Sequence, residues 1–313
     1  VSFIFACVRL LRSTHFHQIK NVRLMEKTLM IPAAFEYYRP KDMDKVLSIL
    51  EEHGDDARVM AGGHSLIPMM KLRMADVPHL IDLQDVGGMS EIEIGADTIK
   101  IGALVTQSDI IDHAALADVA PILREASLQI ADPQVRYMGT LGGNIANGDP
   151  GNDMPGLMQC LDATFTVVGQ DGERAIPARD FYEAAYVTAR EDGEVLTAVT
   201  IPRPKGGHAY EKQKRKIGDY ATAAASVQIV NDGGKCVSAA IAMTNLSDTP
   251  VFSKTAGDAL VGTSVDDAAL KAAVAAMLGD IDPTEDNRGP VAFKNHVAGV
   301  ILRRAIARAW SRA

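Results

Sequence analysis

The sequence predicts an α+β protein built as two successive units. Three observations lead there. Between Met30 and about residue 205, short segments of strand-like and helix-like hydrophobic period alternate irregularly, with no repeat and no low-complexity run. The stretch Pro202-Arg203-Pro204-Lys205-Gly206-Gly207 has the composition of a linker. Beyond it the composition shifts to a hairpin pattern followed by an alanine-rich tail. With 313 residues, 47% of them hydrophobic, the chain is long enough to divide its core between two domains.

Taken in order, Met43, Val46, Leu47 and Leu50 recur at helical spacing, with Asp42 placed to cap the helix and Gly54 to stop it. Residues 57–60 read as a strand that runs directly into Ala61-Gly62-Gly63-His64-Ser65. Further strands are expected at 79–83, 91–94 and 98–104, the last two joined by the turn Gly95-Ala96-Asp97. Helices follow at 107–113 and 121–130, where Pro121 suits a first helical turn. A second glycine-rich stretch, Thr140-Leu141-Gly142-Gly143-Asn144, continues to Asp153. Strands are then expected at 164–168 and 194–201, and a hairpin at 224–230 and 235–244 around Asn231-Asp232-Gly233-Gly234. From Ser253 onward alanines fall at helical spacing, so the second unit should be a small antiparallel sheet with a helical cluster.

Composition excludes several classes. A formal charge of −8 is the wrong sign for a protein that covers phosphates with a basic surface. Cys7, Cys160 and Cys236 lie far apart and are odd in number, which suggests neither a disulfide framework nor a metal-binding pair. No apolar run reaches the roughly 20 residues that span a bilayer. Residues 1–29 are basic (Arg9, Arg12, Lys20, Arg23, Lys27) with an apolar patch at 3–8, but the patch precedes the charge and no small-residue cleavage site follows, unlike a targeting peptide. Met30 is therefore the expected start, with 1–29 disordered or absent from the native protein.

The chemistry concentrates in the two glycine stretches. Glycine permits positive φ and close approach of the backbone, and successive N–H groups then form a concave anion site. Two such turns separated by a whole subdomain are the arrangement expected for closing on one extended anionic ligand. His64, Ser65, Thr140 and Asn144 can add side-chain hydrogen bonds, Asp153 can accept from ligand hydroxyls, and a side chain placed at Gly63 or Gly143 should meet the ligand. Either pair alone is as readily a tight turn, since Gly87-Gly88, Gly206-Gly207 and Gly233-Gly234 need no ligand. GxGxxG, Walker A, HExxH and GxSxG motifs are all absent. A cofactor cradle without an evident acid, base or nucleophile fits electron transfer better than hydrolysis.

At these residues the chain resembles a known family. AGGHSLIPMMKLRMA (61–75) is similar to the first flavin loop, and DPQVRYMGTLGGNIANGDPGNDMP (132–155) to the second, of the FAD-binding medium subunit of molybdenum hydroxylases, the xanthine dehydrogenase family. IPAAFEYYRP and KQKRKIGDYATAAA fit as well, the latter favouring the aerobic carbon monoxide dehydrogenase branch. The resemblance covers Met30 to the end. It implies a two-part FAD-binding domain of the vanillyl-alcohol-oxidase, or PCMH, type over 30–205, and over 206–313 a C-terminal domain of the carbon monoxide dehydrogenase flavoprotein type. By position, Ala61, Gly62, Gly63, His64, Ser65 and Leu66 with Thr140, Leu141, Gly142, Gly143 and Asn144 would cradle the pyrophosphate of noncovalently held FAD. Asp153 would bind the ribityl region, and Ile130 and Leu196 would contact the flavin. Lys212 would place a charge near the isoalloxazine and Tyr220 would stack on it, against the plainer alternatives of a surface salt-bridge lysine and a core tyrosine.

The resemblance further implies a cytoplasmic oxidoreductase component without catalytic residues or metal of its own. Its partners would be a large molybdopterin subunit and a small subunit carrying [2Fe–2S] clusters, in a dimer of heterotrimers, with electrons passing from the clusters through FAD to an external acceptor. The substrate, whether carbon monoxide, a purine, an N-heterocycle or an aldehyde, is then set in the large subunit. Two readings compete: a self-contained FAD-dependent oxidoreductase of the same superfamily, and a flavin-free binding or assembly protein. The start assignment predicts that the intact mass of the native protein begins at Met30; a mature chain retaining residues 1–29 refutes it.

Overall fold

The computed structural model describes residues 30–313, so the expectation for 1–29 and the state of Cys7 lie outside the described residues. The first strand, β1 (Glu36–Tyr38), comes before helix α1 (Met43–His53), which forms as its spacing predicts. Asp42 accepts a 2.8 Å bond from the Lys45 N–H, Gly54 ends the helix at φ 51°, and Val46, Leu47 and Ile49 are buried. Strand β2 (Ala57–Met60), helix α2 (Leu66–Lys71) and strand β3 (His79–Asp82) follow. The three strands make a parallel sheet in the order β1-β3-β2.

The next segment supplies β4 (Ile92–Ile94) and β5 (Thr98–Gly102), then six short helices: α3 (Gln107–Asp112), α4 (Ala114–Val119), α5 (Pro121–Ser127), α6 (Pro133–Met138), α7 (Leu141–Ala146) and α8 (Asp153–Cys160). Strands β6 (Thr164–Gly169), β7 (Gly172–Pro177), β8 (Tyr182–Ala184), β9 (Val187–Thr188) and β10 (Val195–Pro202) complete the unit. β10 lies between β5 and β6 in an antiparallel sheet of order β4-β5-β10-β6-β7. It thereby brings residues on both sides of the helical segment to one core.

The second unit contains β11 (Gly207–Gln213), β12 (Ala223–Asp232), β13 (Lys235–Thr244) and β14 (Val251–Phe252), an antiparallel sheet in chain order. The helices α9 (Lys254–Asp258), α10 (Asp267–Asp280) and α11 (Val291–Trp310) follow, with α11 lying across β11 and β12. This sheet is the wall between two cores. Tyr210 and Ala224 belong to the core of the first unit, whereas Ala209, Ala223, Ala225, Val227 and Ile229 belong to the core under α10 and α11. Side chains alternate across a strand, and a strand covered on both faces has no polar face to show. Small alanines let both layers approach.

Several elements differ from expectation. The stretch 202–207 is no open linker: β10 runs through Pro202, β11 starts at Gly207, and a Cβ on Gly206 would lie 2.2 Å from the Ile229 carbonyl oxygen. Strands β1, β7, β8, β9, β11 and β14 and helices α2, α4, α6, α7 and α8 are not anticipated by the sequence. In α8 every residue is buried, which removes the polar face that makes a helix visible by its period. Among the described residues no helix is long and apolar enough to cross a membrane.

An ionic cluster fastens the two units. Glu125 on α5 accepts from Arg308 and, at 3.0 Å, from Arg312, both near the end of α11, and Arg308 also donates to the Tyr210 carbonyl at 2.5 Å. Replacing Glu125 with alanine removes the shared acceptor of the partly buried Arg308 and the exposed Arg312, so Glu125→Ala should destabilise the chain by about 1–2 kcal/mol in equilibrium urea unfolding.

Candidate cofactor-binding site

Two glycine turns meet because neither carries a side chain where they touch. A Cβ on Gly62 would fall 1.9 Å from the Met138 carbonyl oxygen, and one on Gly142 would fall 2.4 Å from the Ala103 Cβ. These glycines seat their turns against the protein's own backbone. Gly63 has φ 72°, a left-handed conformation that glycine adopts without strain. A Cβ on Gly143 would meet the Thr140 Oγ1 at 2.8 Å and the Ala61 Cβ at 3.9 Å, so the turns lie in contact. At both positions a Cβ would also crowd the protein's own atoms, Ile67 Cδ1 at 2.7 Å from Gly63 and Thr140 Oγ1 at 2.8 Å from Gly143.

The turns are not equivalent. In the second, every N–H from Leu141 to Asn144 has a protein acceptor: Val105 O, Ala103 O, Thr140 Oγ1 and Thr140 O. Thr140 caps α7, so the stretch expected as a phosphate loop is the first turn of a helix. In the first, the N–H groups of Gly62, Gly63, His64 and Ser65 have no acceptor among the described residues. Among the described residues the open N–H groups therefore lie in the first turn, and those of the second are used within the protein.

Between them runs a cavity of about 720 Å³, walled by both turns, by β2, by the start of β10 and by residues of the second unit. That volume is within the range of roughly 300–1,000 Å³ typical of cofactor and ligand clefts. Ala61, Gly62, Gly63, His64, Ser65, Leu66, Ile130, Thr140, Gly142, Gly143, Asn144, Asp153, Leu196, Lys212 and Tyr220 all line it. Leu141 does not: it is fully buried in the core of the first unit, because the first turn of α7 directs it inward.

Four of these residues have neighbours within the protein that define their setting. Asp153 is 4% exposed, and its carboxylate accepts from the Tyr210 hydroxyl and from Lys212 Nζ at 2.9 Å. Burial pushes this carboxyl up from its ordinary range, against the opposing pull of Lys212 and Tyr210. Lys212 is accordingly no surface lysine. It is 9% exposed and donates also to the Gln129 carbonyl at 3.2 Å. Asn144 accepts from the Met154 N–H at 3.1 Å, tying the second turn to the start of α8. Tyr220 is half exposed at the cavity's edge, against Gly151 and 5.7 Å from the Arg288 guanidinium, so it is no core tyrosine.

Sequence inspection missed Arg58, Gln107, Arg190 and Glu194, which also line the cavity. Arg58 was visible as the one charge in the strand leading to the first glycine turn; nothing local marked the others. Glu194 accepts two bonds from Arg174, at 2.6 and 2.7 Å, and these hold its carboxyl below the usual range despite burial. Arg190 donates to the Glu194 carbonyl at 2.5 Å, and burial, with Arg58 beside it, lowers its pKa.

Open backbone N–H groups in the first turn, a cleft of cofactor size and a buried ion pair in its wall fit a protein that holds an extended dinucleotide cofactor. Comparison with known proteins places it further. Residues 33–204 match the family described as the FAD binding domain in molybdopterin dehydrogenase, and 208–309 match the CO dehydrogenase flavoprotein C-terminal domain. The chain is 54% identical to the carbon monoxide dehydrogenase medium chain of Afipia carboxidovorans, over 91% of this chain and 99% of that one. It is 40% identical to the medium chain from Hydrogenophaga pseudoflava, over 90% and 99%. The solved structure of reconstituted CO dehydrogenase from Oligotropha carboxidovorans superposes with a TM-score of 0.89 at 54% identity, covering 91% of this chain and all of that one. The chain belongs to the family of FAD-binding medium subunits of molybdopterin dehydrogenases, and is an oxidoreductase component that carries FAD.

Because Glu194 has a folded-state pKa below its unfolded value, its stabilisation is complete above the unfolded value and is lost as pH falls through the folded one. Glu194→Gln should lower stability by about 1–2 kcal/mol at pH 7, with the gap from wild type closing below roughly pH 4. Urea midpoints across pH 3–8 measure it; a gap independent of pH contradicts the assignment.

Proposed function

We propose that this chain relays electrons within a molybdenum hydroxylase of the carbon monoxide dehydrogenase type, between an iron–sulfur subunit and an external acceptor. One observation carries the reading: both buried carboxylates of the described cavity lining, Asp153 and Glu194, are already held by a cation of the protein. The side chains that most resemble acid and base, Asp153 and Lys212, neutralise each other in a buried pair. Cys160 and Cys236 are buried, and burial pushes the Cys160 thiol up to about 12, far from the thiolate that ligates an iron–sulfur cluster. Oxidation of the organic or gaseous substrate and the cluster relay then fall to a large molybdopterin subunit and a small [2Fe–2S] subunit. A dimer of heterotrimers in the cytoplasm is the assembly proposed.

The division into an FAD-binding unit at 30–205 and a C-terminal unit at 206–313 is part of the same proposal, since β11 onward forms the sheet that closes the cavity. When bound, FAD supplies the redox chemistry, accepting electrons and passing them on. The chain's residues bind and orient it. The free N–H groups of 62–65 hold the pyrophosphate, with His64 and Ser65 beside them. Thr140, Gly142 and Gly143 form the opposite rim and Asn144 fixes its position. Ile130 and Leu196 give apolar contact and exclude water. Lys212, held by Asp153, keeps a positive charge at the wall, and Tyr220 covers the edge.

Reconstitution tests the reading. FAD in the isolated chain should stay oxidised with carbon monoxide, aldehydes or purines, followed by its visible absorbance, and become reduced once both partner subunits are added. Rapid reduction by an organic substrate without partners overturns the relay and establishes a self-contained oxidoreductase.

A further inference from the structure

Gln107 opens α3 and is 1% exposed, yet it forms part of the cavity wall. Its backbone is fixed behind the second glycine turn: the Gln107 N–H donates to the Gly139 carbonyl at 2.9 Å, and the preceding Thr106 pairs with Thr140. Its side chain is half satisfied. Oε1 accepts from the Ser127 hydroxyl at 2.9 Å in a buried contact, whereas Nε2 has no partner. A buried amide donor left in this state is unfavourable, and folded proteins keep few of them. The other unpartnered buried side-chain atoms among the described residues, on Gln159, Tyr182, Ser226, Arg288, Asn295 and Arg308, all lie outside this cavity's lining. With the Ser127 hydroxyl donating to Oε1, the NH₂ group is left as the free donor.

We propose that Gln107 is a cofactor-binding residue whose Nε2 donates a hydrogen bond to an acceptor oxygen or nitrogen of FAD. The inference rests on the FAD reading above and deepens it. Its place along the cavity follows from the chain segment that holds it. Ser127, the partner of Gln107, precedes by two residues Gln129, whose carbonyl accepts from Lys212 Nζ, and Ile130 comes next. Gln107, Lys212 and Ile130 are therefore gathered by one short stretch of the cavity wall. A neutral donor there complements the Lys212 charge and suits the carbonyl oxygens and ring nitrogens of an isoalloxazine, which are acceptors without formal charge.

The test uses the full chain in its complex, stripped of flavin and titrated with FAD at pH 8, for wild type, Gln107→Glu and Gln107→Met. Glutamate keeps the shape and an acceptor for Ser127 but lacks the NH₂ group, and methionine removes both polar ends. Each variant should bind FAD about tenfold more weakly. The thermal midpoint of flavin-free Gln107→Met should change little, because the unpartnered Nε2 is removed while the buried Ser127 hydroxyl loses its acceptor. Unchanged affinity in both variants overturns the proposal, as does wild-type affinity in Gln107→Glu, which would leave only the Ser127 contact. If the wild type itself takes up no FAD, the cofactor reading fails first and this inference falls with it.

Discussion

The arrangement of the whole molecule depends on the buried ion pair between Asp153 and Lys212. Taking two charges out of water costs several kcal/mol per ion, and only close geometry with additional hydrogen bonds offsets it. Here the additional bonds come from the Tyr210 hydroxyl and the Gln129 carbonyl. Asp153 opens α8 in the first unit, while Tyr210 and Lys212 lie on β11 of the second. The pair is satisfied only when the two units are docked, so the wall of the cavity and the junction between the units are one structure. The Glu125 cluster at the end of α11 fastens the opposite side of the same strand through the Tyr210 carbonyl.

The second constraint is close approach. Gly62 and Gly142 let two turns press against Met138 and Ala103 at distances no Cβ allows. The second turn spends its N–H groups on its own helix and on the strand behind it, becoming a rigid surface, while the first keeps its N–H groups open. In a protein of net charge −8, these open backbone dipoles, rather than a basic surface, are what the first turn offers to an anion. Arg58 and Arg190 add positive charge at the end of the cavity near Glu194.

How far the sequence spoke for the structure varies with the kind of signal. Helix α1 was legible in full, because its cap, its period and its glycine stop are all local. The hairpin of β12 and β13 was legible from Asn231-Asp232-Gly233-Gly234, although each strand's buried alanines say nothing of which core they face. Helix α8 was not legible, since burial on every side erases the period that marks an amphipathic helix. Strand β11 was hidden for a related reason: its inward residues, Ala209 and Tyr210, serve different cores and mimic no simple alternation.

The sequence by itself determined the two glycine turns, their order, the family they resemble and hence the cofactor, because close backbone approach requires glycine and leaves a mark in the residue string. It determined which residues are charged, but not which charges meet. Only the tertiary structure decided that Asp153 is held by Tyr210 and Lys212, that Leu141 belongs to the core and not to the cavity, and that Gln107 brings an unpartnered donor to the wall. Those facts join residues up to 59 positions apart. Hydrogen bonding and burial depend on what the folded chain places alongside a residue, and no local pattern encodes that neighbour.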